Sequence, residues 1–204
     1  MTGRKFLSVL IFAALSVALS PVLAAQSNEA DFKEIQAYRL TMPAFKQVMA
    51  ATRNLLTGIK NDPRFQRLEQ LEAEVEELED KSDRTAAESD RLDKLKDEIR
   101  SIEASVRVLG AAAAAESLSD IDAAAQKDPM MAAAFKSAGI SARDYAKFMG
   151  AYLQATMIEN LRKSGTLKEL PKNVNLDNVR FVAEHQAEFE QFIDELEALE
   201  KKEP

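Results

Sequence analysis

The apolar positions between Pro63 and Gly110 keep one rhythm, and that rhythm restricts the fold more than any other feature of the chain. Leu68, Leu71, Val75 and Leu78 are spaced 3-4-3, Leu92, Leu95, Ile99 and Ile102 repeat the spacing, and Val106 and Leu109 continue it. Folding one segment back on the other pairs Leu78 with Leu92, Val75 with Leu95, Leu71 with Ile99, and Leu68 with Ile102, all with the same index sum. A single antiparallel register therefore mates every layer of a helical hairpin over 63–109. The turn is expected at Lys81 to Arg84, where Ser82 and Asp83 favour non-helical backbone, and Thr85 with Glu88 reads as a capping box that starts the returning arm. At 1.5 Å per residue the arms should be about 28 and 37 Å long.

The first arm carries Glu69, Glu72, Glu74, Glu76, Glu77, Glu79 and Asp80 with no base between them, whereas the second mixes Arg91, Lys94, Lys96 and Arg100 with acids. Ion pairs across the arms are expected to help set the register. The acids read as the solvated flanks of a coiled coil, and recognition of a basic protein partner is the functional alternative.

The rest of the chain reads as helix too. Ala30 to Leu40 has helical spacing, Thr41 caps a helix carrying Phe45, Val48, Met49, Leu55 and Leu56 to Gly58, and the Asp62-Pro63 and Asp128-Pro129 dipeptides each combine a cap with a first-turn proline. A break is expected near Gly110 or Ser117, followed by helix to Lys127. Pro129 to Ala138 stops at Gly139, and Ser141 caps a long helix ending at Gly165. That helix, with Tyr145, Phe148, Met149, Tyr152, Leu153, Met157, Ile158 and Leu161, is the expected centre of the core. After a loop through Leu170-Pro171, Asn175 caps one final helix that turns Val179, Val182, Phe189, Phe192, Ile193 and Leu196 toward the core. Only six glycines and six prolines occur in 204 residues, and no stretch alternates with period two. The expected fold is all-α: an irregular helical bundle with a projecting antiparallel coiled-coil hairpin, forming a single domain over 26–204.

Residues 1–25 have a different character. Arg4 and Lys5 precede an apolar run from Phe6 to Leu19, and Val22 and Ala24 are the small residues that signal peptidase requires. This reads as a secretory signal peptide cleaved after Ala24 or Ala25, because a membrane span needs about 20 apolar residues. A soluble product in the periplasm or the medium is expected, with no stable membrane insertion after cleavage. The chain has no cysteine, which leaves stability to packing and excludes thiolate metal sites and thiol catalysis. Its formal net charge of −7 becomes more negative when the basic signal is removed, which disfavours nucleic acid and anionic lipid as partners.

No catalytic, cofactor or metal site follows from the residues. His185 is the only histidine, and Glu184 and Glu188 beside it under-supply a metal centre. Asp120 and Asp122, at i and i+2, do not share a helix face. There is no glycine-rich phosphate loop and no serine in a nucleophile motif. The Tyr145, Phe148, Met149, Tyr152 and Met157 cluster is read as core or as the wall of an apolar ligand pocket, with Gln154, Thr156 and Asn160 marking a solvent edge or a polar rim.

Three stretches, Tyr38-Arg39-Leu40-Thr41-Met42, Ala138-Gly139-Ile140-Ser141-Ala142-Arg143-Asp144-Tyr145, and Leu170-Pro171-Lys172-Asn173-Val174 running on to Asn178-Val179-Arg180-Phe181-Val182, resemble an uncharacterised family of secreted bacterial all-helical proteins. The resemblance implies an exported helical protein and transfers no site residues. The hairpin is also similar in outline to the helical tentacles of periplasmic holdase chaperones, which are basic and surround a β-rich trimer core, unlike this acidic chain. The expected function is non-catalytic: an interaction, scaffold or chaperone-like role in the cell envelope with a protein partner, or alternatively the binding of a small apolar ligand.

Overall fold

The computed structural model describes residues 29–113, 117–167 and 174–201, and among these the chain forms nine helices and no strand. The signal segment and the Leu170-Pro171 turn lie outside the described residues. Over 103–113 only the backbone is described, which bears on Val106, Leu109 and the start of the alanine run.

Helix α1 (Glu29–Ala37) leads through an extended link into α2 (Met42–Asn61), whose cap Thr41 accepts the Ala44 N–H at 3.4 Å. Glycine at 58 does not end α2, contrary to the sequence expectation. A Cβ built there would lie 2.7 Å from the Met130 side chain, so the missing side chain serves close approach of α6 (Pro129–Ala138) rather than helix termination. The stop comes at Asp62, whose N–H bonds the Ile59 carbonyl while its carboxylate accepts the Arg64 N–H at 2.9 Å and so starts α3 (Pro63–Glu79).

Helix α3 and helix α4 (Ala86–Ala113) form the hairpin in the expected register. Leu71, Leu78, Leu92 and Leu95 are buried together, with Val75, Ile99 and Ile102 packed around them. Arg67–Glu98 at 2.9 Å, Glu74–Arg91 at 2.8 Å and Glu79–Lys96 at 2.7 Å bridge the arms, each offset by five in index sum from the core pairs, as flanking positions should be. Each pair is open to water, which screens it, so the leucine layers dominate. The α4 backbone passes through Gly110 without a break, and Ser117 caps α5 (Leu118–Lys127) by accepting the Asp120 N–H at 3.1 Å.

Asp128 caps α6, which ends at Gly139 in the left-handed region (φ 69°), and Ser141 caps α7 (Ala142–Lys163). As expected, α7 is the central helix: it touches α1, α2, α5 and α8 (Leu176–Glu184). Its buried Ala146, Gly150, Ala151 and Ala155 let neighbours approach closely, while Tyr145 and Phe148 fill the wider spaces. Met157 departs from expectation and is 58% exposed. It lies five residues beyond Tyr152, a rotation of about 140° away from that face.

The expected single final helix is two, because His185 (φ −112°, ψ 21°) leaves the helical region between α8 and α9 (Gln186–Lys201). Helix α8 lies along α7, whereas α9 meets the bundle through long side chains: Phe189 stacks on Phe45 and Tyr152 with ring centroids 4.2 and 4.4 Å apart. Phe192 and Leu196 follow Phe189 into the core, but Ile193, at the edge of that stripe, is 50% exposed.

Candidate functional site

Two features stand apart from ordinary packing: the hairpin and a cavity beneath α9. The hairpin's core shares no buried residue with the main core, which gathers α1, α2 and α5 through α9. Its arms, of 17 and 28 residues, extend about 25 and 42 Å. The tip is fixed by polar contacts. The Arg84 guanidinium donates to the Leu78 and Glu79 carbonyls at 3.0 and 2.9 Å, satisfying acceptors that the end of α3 leaves open. Thr85 and Glu88 complete the capping box: the Glu88 carboxylate accepts the Thr85 N–H at 2.8 Å, and the Thr85 hydroxyl accepts the Glu88 N–H at 3.2 Å. Those bonds, the Thr85 N–H foremost, together with Lys81 at 3.1 Å, lower the Glu88 pKa to about 2. Glu69, Glu77, Asp80, Asp90 and Asp93 point outward into solvent.

The second feature is a cavity of about 90 Å³ between α2, α7 and α9. Its walls are almost wholly carbon, with Phe45, Phe148, Tyr152, Phe189 and Phe192 supplying ring surface. Of the three hydroxyls in the wall, those of Thr52 and Tyr145 are bonded to each other, and the third is that of Tyr152. The Thr52 hydroxyl donates to the Val48 carbonyl at 2.9 Å, so its 3.0 Å contact with Tyr145 leaves the phenol as donor. Burial pushes the Tyr145 phenol above its ordinary pKa and keeps it protonated for that bond. With Tyr152 the one remaining hydroxyl, the space has fewer polar groups than the roughly two to four a water needs.

Polar ties hold α9 over this space. Arg53 on α2 pairs with Glu195 and lies over the Phe192 ring at 5.8 Å, and Lys60 donates to the Leu199 carbonyl. Of the residues expected to form a pocket, Tyr145, Phe148, Met149 and Tyr152 line it and Met157 does not. Gln154, Thr156 and Asn160 are not in its wall, which removes the polar-rim reading. The α2 and α9 contributions were expected in the core rather than in a cavity wall. Thr52 passed unnoticed, although a threonine four residues after Val48 on an apolar stripe is the available signal.

Comparison of the chain with protein-family models, curated proteins and solved structures finds no match.

His185 Nδ1 lies 3.1 Å from Glu188 Oε1 and its ring packs on Phe181, while Glu184 is exposed. Among the described residues no three His, Cys, Asp or Glu side chains converge on a point that could hold a metal ion. Asp120 and Asp122 serve separate caps: Asp120 accepts the Ser117 hydroxyl at 2.7 Å and Asp122 the Arg143 N–H at 3.0 Å. Arg143 also binds Glu34 at 2.7 Å and Ser119 at 3.2 Å, joining α1, α5 and α7. The buried Asp31 accepts the Leu118 N–H at 2.9 Å and so caps α5 from a distance in sequence. Buried Glu159 is held ionised by Arg162 at 2.7 Å, with Lys163 behind it. These groups serve architecture. No helix among the described residues is long and apolar enough to cross a membrane.

Proposed function

We propose that the chain is exported and works without catalysis, as an interaction protein of the cell envelope whose hairpin engages a protein partner. One observation carries this reading. The hairpin has an apolar core of its own, in Leu71, Leu78, Leu92 and Leu95, that shares no residue with the main core. Its tip is nonetheless fastened by Arg84 and by the Thr85–Glu88 box. An arm that is stiff to its end and charged on both outer faces suits docking against a basic surface, through rim charges that steer and orient the encounter. The basic start and small-residue site of 1–25, and the resemblance to secreted helical proteins, support the envelope as its compartment.

The test replaces 79–88 with a Gly-Asn turn and compares cross-linked complexes from the native envelope fraction. Loss of a complex that the wild type forms, with thermal stability of the bundle nearly unchanged, is the expected result. The same complex at the same yield from the shortened protein would remove the hairpin from function.

A further inference from the structure

The cavity beneath α9 does not depend on the partner reading, and its chemistry is specific. We propose that it is a binding site for the aliphatic end of a small uncharged molecule. The wall excludes charge: none of its residues is ionised at neutral pH, and the nearest ion pair, Arg53 with Glu195, is already mutually satisfied. It offers little to a ligand whose buried end must hydrogen-bond, because the Thr52 and Tyr145 hydrogens are both committed and the Tyr152 hydroxyl is the one other polar group of the wall. Size narrows the class further. An apolar cavity of about 150 Å³ accepts benzene, and this one, at about 90 Å³, is too small for a ring. On the benzene comparison, about 25 Å³ per carbon, it holds roughly three carbons of a chain.

The entrance is at Ile193, the one wall residue among the large exposed apolar side chains, so it borders both cavity and solvent. A ligand enters there tail first. Its polar end remains in water on the Ile193 side, and the tail lies against Phe45, Phe189 and Tyr152.

Titration of the full-length protein with n-alkanols from ethanol to octanol, followed through the Met149 methyl signal by NMR, tests this. Affinity should tighten about fourfold per added methylene until the cavity is full, near three carbons, and then level off. Ile193→Trp, at an exposed position, should close the entrance and weaken binding at least tenfold while leaving the circular dichroism spectrum unchanged. Val48→Ile fills one carbon's worth of the wall and should bring the levelling point forward by one carbon. Affinity that climbs through octanol without a break reports surface partitioning and overturns the proposal, as does an absence of saturable binding. Undiminished binding in folded Ile193→Trp overturns it as well. If that variant fails to fold, the Val48→Ile shift decides, and an unmoved break is the negative result.

Discussion

The side-chain amide of Asn178 closes on the backbone of Leu40: its oxygen accepts the Leu40 N–H at 2.9 Å, and its nitrogen donates to the neighbouring Tyr38 carbonyl at 2.8 Å. The amide thereby gives the extended link between α1 and α2 the pair of bonds that a strand neighbour would supply. Asn178 is 3% exposed, so nothing but the protein can satisfy these groups. Truncating Asn178 to Ala should cost about 2–4 kcal/mol, the penalty for a buried donor and acceptor left open. A lowered urea midpoint at unchanged m-value is the expected observation.

The hairpin register is open to a direct chemical test, since the chain has no cysteine to interfere. Cysteines at Val75 and Leu95 should oxidise to a disulfide, whereas Val75 with Ile102 should not, because the second position lies about 10 Å farther along the arm. Leu71→Ala, at a side chain with no exposed surface, should cost about 3–5 kcal/mol.

Acid should loosen the tip first. The Glu88 pKa is about 2 in the folded hairpin against an ordinary 4.5. The unfolded chain therefore binds the proton more readily between those values, and stability falls as pH drops through that window. The contribution is fully present above about pH 5. The Thr85 amide resonance should move with Glu88 ionisation, and Glu88→Gln should abolish that movement. Retention of the full Thr85 shift in the variant would contradict the assignment.

Helix α2 offers a test of why glycine occupies position 58. In a Met130→Ala background, Gly58→Ala should stabilise by about 0.5–1 kcal/mol, the ordinary helix preference for alanine. With Met130 present the added Cβ would meet its side chain at 2.7 Å, and the same change should lose that gain and become destabilising. A double-mutant cycle by thermal melts measures the difference.

The features legible in the sequence were those that a local pattern encodes. Leu71 to Leu95 gave the register because coiled-coil positions name their own partners, and Thr41, Asp62, Asp128, Ser141 and Asn175 all cap helices because capping involves residues two or three apart. What escaped is non-local. The break at His185 leaves no mark in the sequence, since Val182 and Phe189 keep helical spacing across it, and only the backbone there, at φ −112° and ψ 21°, reveals the interruption. Gly58 looked like a stop because its reason, Met130, lies on another helix. The candidate cavity was half visible: α7 announced its aromatic face, but the Thr52–Tyr145 bond in its wall spans 93 residues.

The clasp between Asn178 and the Leu40 link also orders events in time. As the polypeptide emerges N-terminus first, the hairpin can zip as soon as its second arm appears, for its partners are near in sequence. Helix α1 must wait. Asp31 needs Leu118, Glu34 needs Arg143, and the link after α1 needs Asn178, so the first of the described helices is among the last to be seated. Until Asn178 arrives, the link after α1 lacks both of the partners that close it.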